Sequence, residues 1–213
     1  MNRSLSQSIV RVCRRLEAKG FVAAFDGNVS ARKDARTILV TARGKSKGEI
    51  AAKDVVAVWM DGTPVKKGSL PTSELPMHLA IYRERADIGG VVHAHPPYAT
   101  ALAASGQRLS INILPEVILS LGLVPLIPYA TPSTEEVGTS LVPHLRISSG
   151  ALLANHGAVT WARTVSGAYL LMEKLEHAAQ IEFLARLLGG AKTLSPSNIE
   201  ELLRIHPYSQ KKM

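Results

Sequence analysis

Residues 91–97 constrain the fold of this chain more than any other stretch of its sequence. They read Val-Val-His-Ala-His-Pro-Pro, an apolar run that carries two histidines and is followed by two prolines. The run predicts a buried strand over residues 89–93 and then a helix from Pro96, because proline is tolerated in the first turn of a helix. Residues i and i+2 of a strand project from the same face, so His93 and His95 can reach one ion.

A third histidine lies in a similar setting further along the chain. Residues 152–158 read as a second buried strand that ends in His156, beside Gly157. Zinc held by three histidines, with a fourth position left open, is a common catalytic arrangement. If His93, His95 and His156 converge, the chain is a metalloenzyme, although His156 taken alone is more often structural.

Length and composition favour one domain over residues 1–213. With 46% hydrophobic residues the chain can bury a substantial core. It has no apolar stretch of the roughly 18 residues that a transmembrane helix needs. Its first residues lack the apolar centre of a secretory signal. The single cysteine, Cys13, excludes an internal disulfide and fits a reducing compartment, so we expect a cytoplasmic protein without a membrane partner.

The net charge of +8 raises the question of an anionic partner. The basic residues are scattered, with only short pairs such as Lys66 and Lys67, and no nucleic-acid-binding motif accompanies them. We therefore expect no nucleic-acid partner. A solvated basic surface and attraction of a small anionic substrate are both compatible with this charge.

Strands and helices alternate along the chain, which favours a mixed α/β layer architecture over a doubly wound parallel sheet. Residues 124–128 contain two prolines and therefore predict an irregular edge strand. The longest predicted helix covers residues 165–188, with an apolar stripe at Leu171, Leu175, Ala178, Ile181, Ala185 and Leu188. The other predicted strands are residues 37–41, 55–60 and 150–154, and the other predicted helices are residues 4–19, 75–85, 115–121, 134–144 and 196–205.

Glu74 is the candidate acid or base. It stands just before the helix predicted over residues 75–85, which Ser73 is expected to cap. A carboxylate near zinc can serve as a ligand or as a general base. The alternative is an acid that interacts with the helix dipole, which is the commoner role at such a position.

Two polar, glycine-containing segments are candidate anion sites. They are residues 26–30, Asp-Gly-Asn-Val-Ser, and residues 41–46, Thr-Ala-Arg-Gly-Lys-Ser. Such loops can turn backbone N–H groups and hydroxyls toward a phosphate. Neither has the spacing of a P-loop, and ordinary turns remain the alternative.

Five short elements occur in a specific order between Gly27 and about Pro196. They are Gly27-Asn28-Val29-Ser30, Thr41-Ala42-Arg43-Gly44, Thr72-Ser73-Glu74, the pair His93 and His95, and Asn155-His156-Gly157. Together they resemble the class II aldolase/adducin family. The resemblance implies an α/β fold, a single three-layer α/β/α domain with a mainly antiparallel central sheet.

The resemblance also implies a site and a reaction. One Zn²⁺ per subunit would be held by His93, His95 and His156, and Glu74 would remove the proton beside a ketone. A phosphate cradle would consist of Gly27, Asn28, Gly44, Thr72 and Ser73. The expected activity is that of a metal-dependent aldehyde-lyase. It would reversibly cleave a phosphorylated ketose, similar to L-fuculose 1-phosphate, into dihydroxyacetone phosphate and an aldehyde. The family further implies a homotetramer with active sites at subunit interfaces.

Three positions depart from the family pattern or match it loosely. Arg43 stands where the aldolases usually carry a small hydroxyl residue, and it adds a candidate anion contact. Glu116 lies in the region where the aldolases carry a tyrosine from a neighbouring subunit. Tyr208 is the candidate for their C-terminal tyrosine. His78 is expected to be structural or to support the site from behind Glu74.

Other functions fit the same elements. An epimerase, dehydratase or decarboxylase would use the same histidines, although the epimerases commonly carry aspartate where Glu74 stands. A non-catalytic interaction module similar to the adducin head domain is the alternative of another class. It predicts loss of the ligands, whereas the three histidines and Glu74 are all present.

Overall fold

A seven-stranded sheet organises residues 4–205, which are the residues that the computed structural model describes. Its strand order is β3-β2-β1-β4-β7-β6-β5. The strands are β1 (Asn28–Arg32), β2 (Thr37–Thr41), β3 (Val55–Trp59), β4 (Gly90–Ala94), β5 (Leu126–Ile127), β6 (Gly150–Leu153) and β7 (Gly157–Ala162). Every pair is antiparallel except β5 with β6, so the sheet is mixed but mainly antiparallel, as expected.

Helices cover both faces of this sheet. They are α1 (Leu5–Ala18), α2 (Leu75–Glu84), α3 (Pro97–Ala104), α4 (Pro115–Ser120), α5 (Glu135–Leu141), α6 (Val165–Leu187) and α7 (Pro196–Ile205). One buried cluster joins α1, α3 and α6 to inward residues such as Val92 and Ala158. A second joins α2 and α5 to Val91 and Val159 on the opposite face. The three-layer α/β/α prediction is therefore confirmed.

Strand β4 lies at the centre of the sheet, between β1 and β7. All five of its residues are buried, which explains why its sequence is apolar on both faces. Its register places Asn28 of β1 opposite His93 and places Ala158 of β7 opposite Ala94. Because Val91 and His93 share a face, His93 points to the side of the sheet that α2 covers.

Two strands were not predicted. Residues 26–30 were interpreted as a loop, but β1 begins at Asn28 and is buried over residues 28–31. The strand expected to end in His156 ends at Leu153, and β7 begins at Gly157 after a short turn. His156 therefore lies in the turn of a β6–β7 hairpin. Asn155, with φ of 55°, provides the left-handed backbone that this turn needs.

The edge strand and the remaining predicted elements are found, with small shifts at their ends. β5 is only two residues long and pairs in parallel with β6 at the edge of the sheet. The prolines at 125 and 128 flank it, which agrees with their exclusion from a central strand. In the described part of the chain, no helix is long and apolar enough to cross a membrane.

The predicted apolar stripe of the longest helix is confirmed only in part, at Leu175 and Ala178, which are buried. Leu188 lies after the end of α6 and is 88% exposed, whereas Tyr169 and Met172 are fully buried. The helix packs against β4, β7, α1 and α3 together, so more than one narrow face is covered. Two glutamates, Glu176 and Glu182, are buried in those contacts.

Glu176 holds the start of α3. Its two carboxylate oxygens accept the backbone N–H groups of Tyr98 and Ala99, at 2.9 Å and 2.8 Å. These N–H groups have no partner within the helix, so a carboxylate there satisfies them and complements the helix dipole. Burial raises the pKa of Glu176, and the two backbone hydrogen bonds offset part of that rise. The contact ties α6 to the helix that follows His95.

We expect Glu176→Ala to lower the free energy of unfolding by about 2–3 kcal/mol, because two buried N–H groups lose their acceptor. Glu173→Ala is the matched control on the same helix. It removes ion pairs with Arg15 and Lys19 at 3.4 Å and 3.2 Å, which are part-exposed and worth under about 1 kcal/mol. Urea denaturation of both variants measures the difference, and equal losses would contradict the capping role of Glu176.

Candidate metal centre

The three predicted histidines converge. His93 is the second-last residue of β4, His95 follows that strand, and His156 lies in the β6–β7 turn. One nitrogen from each ring lies within 4.8 Å of the other two. The ring centroids are 4.7–5.0 Å apart, and the rings of His93 and His156 are stacked. The antiparallel pairing of β4 with β7 brings these distant positions together.

The contacts of His93 and His95 indicate which nitrogen of each ring faces the centre. His93 donates from Nδ1 to the backbone oxygen of Ala158 at 2.9 Å. His95 presents Nδ1 to the carboxylate of Asp26 at 3.4 Å. In the neutral form that binds a metal ion, with the proton on Nδ1, both rings would carry their lone pair on Nε2, and these two Nε2 atoms face one another at 3.1 Å. Two lone pairs at that distance repel, and a cation between them would turn the repulsion into coordination.

The state of His95 also fits a metal ligand. Burial, and then the neighbouring His93 and His156, lower the pKa of His95 to about 4. A neutral imidazole is the form that binds a metal ion. A carboxylate behind a histidine, as Asp26 lies behind His95, orients the ring and increases its basicity as a ligand. The donor set therefore fits a divalent ion that prefers nitrogen.

Gly157 allows the His156 turn to approach β4. A Cβ at this position would lie 2.6 Å from both the backbone oxygen of Ala94 and the Cδ2 of His95. Any larger residue would displace the backbone or His95 itself. This explains in physical terms why a glycine follows His156.

Glu74 faces the same centre. Its Oε1 lies 2.8 Å from Nε2 of His156, and its Oε2 lies 3.2 Å from Nε2 of His93. Its side chain is only 12% exposed. Burial would raise the pKa of Glu74, but the charge of His93 and hydrogen bonds from His156 and His93 outweigh it, so the net pKa is lowered and the carboxylate is ionised.

The helix-start interpretation of this acid is not supported. Glu74 occupies the N-cap position of α2, but its side chain makes no capping hydrogen bond. Ser73, which was expected to cap the helix, does not occupy the N-cap position. The carboxylate of Glu74 is instead directed at the three histidines, in the position of a ligand or an acid/base.

The predicted phosphate-cradle residues fall into two groups. The loops around Thr41 and Thr72 lie side by side, because Thr72 donates its N–H to Thr41 and Arg43 donates its N–H to Leu70, both at 3.0 Å. Gly44 is exposed in the first of these loops, with φ of +67°, and Ser73 is part-exposed next to Glu74. The two loops thus lie side by side next to Glu74, with Thr41 and Thr72 buried and Gly44 exposed.

Gly27 and Asn28 form the second group and are buried. A Cβ on Gly27 would lie 2.6 Å from Val22 and 2.9 Å from the oxygen of His93, so this glycine permits close packing against β4. The side chain of Asn28 donates from Nδ2 to Oε2 of Glu74 at 2.7 Å. Its amide oxygen accepts from His78. The Asn28 side chain is therefore engaged with Glu74 in this structure.

The remaining candidates are Arg43, Glu116 and Tyr208. Arg43 is exposed in the Thr41 loop. Glu116 is exposed in the first turn of α4, a helix that packs against α6 and α7. Tyr208 lies outside the described residues. Sequence reasoning missed Asp26 as a partner of His95, because the pairing of β1 with β4 that brings them together was not predicted.

The sequence of the chain matches a known protein family. Residues 7–183 match the family model described as Class II Aldolase and Adducin N-terminal domain. A 5-deoxy-D-ribulose 1-phosphate aldolase of Bacillus thuringiensis serovar kurstaki is 29% identical over 93% of this chain and 93% of its own length. A 3-oxo-tetronate 4-phosphate decarboxylase of Pectobacterium atrosepticum is 32% identical over 86% and 85%.

The fold is also similar to that of solved structures. The structure of an L-fuculose 1-phosphate aldolase superposes with a TM-score of 0.87 at 27% identity, covering 97% of this chain and 98% of that one. Dehydratases are also found among the similar proteins. The comparisons thus bring together several reactions on one scaffold.

Proposed function

The chain belongs to the class II aldolase and adducin family, and from this premise we propose that it is a metal-dependent aldehyde-lyase. The proposed reaction is reversible cleavage of a phosphorylated ketose into dihydroxyacetone phosphate and an aldehyde. The observation that carries this proposal is the convergence of three imidazole nitrogens and one ionised carboxylate on a single point. The L-fuculose 1-phosphate type of substrate is favoured by the similarity to aldolases of such sugars.

His93, His95 and His156 would hold the metal ion, one per subunit. Three neutral imidazoles suit Zn²⁺ among the common divalent ions. When bound, the ion would supply a Lewis acid that stabilises negative charge on the substrate's ketone oxygen. Two groups of the protein would orient these ligands. The backbone oxygen of Ala158 would orient His93, and the carboxylate of Asp26 would orient His95.

Glu74 would carry the proton. In cleavage Glu74 would take the proton of the hydroxyl on the carbon that becomes the aldehyde, and would then deliver it to the carbon beside the ketone. In condensation the same two transfers would run in reverse, from the carbon of dihydroxyacetone phosphate to the new hydroxyl. Glu74 is ionised and points to the centre where the substrate would lie. Because its oxygens lie against His93 and His156, substrate binding must displace it slightly before it can act as a base.

The paired loops beside Glu74 would bind the phosphate. Ser73 and Gly44 offer backbone N–H groups, Thr72 and Ser73 offer hydroxyls, and Arg43 adds a cation on the exposed rim. The net charge of +8 would attract such a substrate from solution. Gly27 would contribute by allowing β1 to approach the site closely.

A homotetramer with sites at subunit interfaces forms part of the proposal. Large apolar side chains are exposed on the loops that form the site, namely Phe25 at 66%, Leu70 at 67% and Tyr129 at 59%. Apolar groups beside a catalytic centre are typical of a surface that another subunit covers. A monomeric mass by light scattering would contradict this assembly.

The second candidate is decarboxylation of a phosphorylated oxo-acid on the same scaffold. It is favoured by the similarity to a decarboxylase, which matches that to the aldolases in extent. Epimerase and dehydratase chemistry would use the same histidines. A non-catalytic interaction module is disfavoured because the three histidines and Glu74 are all present and lie close together.

We expect the zinc-loaded protein to exchange one carbon-bound hydrogen of dihydroxyacetone phosphate for deuterium in D₂O, stereospecifically. This half-reaction needs no knowledge of the aldehyde, and proton NMR measures it directly. Protein stripped of metal by a chelator is the control. Absence of exchange with metal bound would contradict the aldolase proposal and favour decarboxylation, which is tested by CO₂ release from 3-oxo-tetronate 4-phosphate.

A further inference from the structure

A buried chain of hydrogen bonds runs from the site into the layer between the sheet and α2. It begins at Oε2 of Glu74, which accepts from Nδ2 of Asn28 at 2.7 Å. The oxygen of the same amide lies 2.5 Å from Nε2 of His78. Nδ1 of His78 lies 2.7 Å from the hydroxyl of Ser30, which lies 2.9 Å from the hydroxyl of Tyr82. Beyond Glu74, each of these residues is at most 3% exposed.

The direction of each hydrogen bond follows from the first. Because a carboxylate only accepts, the Asn28 amide must point its NH₂ group at Glu74 and its oxygen at His78. His78 must then donate from Nε2, which leaves Nδ1 as an acceptor for the Ser30 hydroxyl. Ser30 in turn accepts from Tyr82. Every group has one orientation, so the Asn28 amide cannot rotate without breaking two buried hydrogen bonds.

His78 is well suited to this structural task. Burial and the nearby His93 lower its pKa to about 3, so its ring is neutral and has one donor and one acceptor. It lies one turn after Glu74 on α2, and therefore reaches β1 from the same helix that presents the carboxylate. Asn28 of β1 therefore contacts both Glu74 and His78, which lie one turn apart at the start of α2.

We propose that Asn28 and His78 act as a pair of positioning residues that fix the carboxylate of Glu74 at the metal centre. This inference rests on the proposed function, since it specifies how the proposed base is oriented. It adds a second task to the place in the phosphate cradle that the family resemblance implies for Asn28. The amide is turned toward Glu74, and only 3% of the residue is exposed.

The positioning role predicts kinetics that phosphate binding alone does not. If Asn28 only binds the phosphate, Asn28→Ala raises KM for dihydroxyacetone phosphate and leaves the saturated exchange rate near the wild-type value. If Asn28 also positions Glu74, the saturated rate falls, because saturation with substrate cannot restore the place of the carboxylate. A misplacement of about 1 Å can cost about 100-fold in rate, and we expect a loss of that order.

His78 supplies an independent pair of variants. His78→Leu removes the donor to Asn28, and we expect it to lower the saturated exchange rate as Asn28→Ala does. His78→Gln keeps an amide N–H near the position of Nε2, and we expect it to recover most of that rate. Thr160→Val is the control for a buried change: it removes a hydrogen bond to Ala168 of 2.8 Å on the other face of the sheet and should leave exchange unchanged.

Crystal structures of the wild type and of Asn28→Ala provide a readout that does not depend on turnover. We expect the Glu74 carboxylate to leave its position against His93 and His156 in the variant. An unchanged carboxylate, or a raised KM with an unchanged saturated rate, would overturn the positioning role. A wild-type enzyme that does not exchange dihydroxyacetone phosphate would contradict the proposed reaction only, and the crystal comparison would then decide the role of Asn28 and His78.

Discussion

His95→Ala is expected to remove bound metal and exchange activity together. His95 supplies one of only three imidazole nitrogens at the centre, and the two that remain cannot complete a stable tetrahedral site. Changes to groups that merely support metal ligands cost about 10–100-fold in metal affinity, so loss of a direct ligand should cost more. Metal content after dialysis, measured by mass spectrometry, and deuterium exchange on dihydroxyacetone phosphate test the prediction in one preparation.

His177→Ala is the matched control for this substitution. His177 lies on the exposed side of α6, away from the three converging histidines, so its loss should change neither metal content nor activity. The fold should survive His95→Ala, because His95 follows the end of β4 and is part-exposed rather than packed in the core. A His95→Ala protein that keeps one metal ion per chain would remove His95 from the ligand set.

The convergence of His93 and His95 could be predicted from their spacing, because the period of a strand is fixed by backbone geometry. The place of His156 could not be predicted in the same way. It depends on β4 pairing with β7, across more than 60 residues of chain, and β7 was not recognised as a strand. The family resemblance, and not strand geometry, predicted that His156 joins the other two histidines.

Strand β1 was not predicted because its polar residues were expected to lie on the surface. Asn28 and Ser30 are polar and follow a glycine, which is typical of a turn, yet both are buried. Their polar groups are satisfied by Glu74, His78 and Tyr82, which come from a helix some 50 residues away. No local pattern records such partners, so buried polar strands near a functional site are easily interpreted as loops.

The helix α6 shows the same limit in another element. Its length and ends were predicted well, because Thr164 caps its start and glycines follow its end. Its buried face was predicted only in part, because the predicted stripe consisted of apolar residues alone and left out Glu176 and Glu182, which are buried. In the structure they accept backbone N–H groups of Tyr98, Ala99 and Ser110. A charged residue can therefore be buried where its carboxylate accepts backbone N–H groups from a distant part of the chain.

Glu74→Gln is expected to keep the metal and to abolish proton transfer. Glutamine has the same shape, so it should still accept the hydrogen bond from Asn28 that holds the side chain in place at 2.7 Å. An amide cannot take up a proton at neutral pH, and removal of a general base typically costs about 10²–10⁴-fold in rate. Deuterium exchange should therefore fall by at least about 100-fold, while the metal content after dialysis stays at that of the wild type.

The ionised state of Glu74 sets the pH dependence of the same experiment. Because its pKa is lowered by His93 and His156, the carboxylate stays charged below the range where a free glutamate is protonated, so the wild type should not lose exchange through Glu74 near neutral pH. Glu84→Gln, which alters a surface ion pair with Arg146 of 3.1 Å, is the matched control and should retain full exchange. Wild-type exchange in Glu74→Gln would remove Glu74 from the mechanism. Loss of metal in that variant would instead make its carboxylate a required ligand, because only the charge and one acceptor oxygen have been changed.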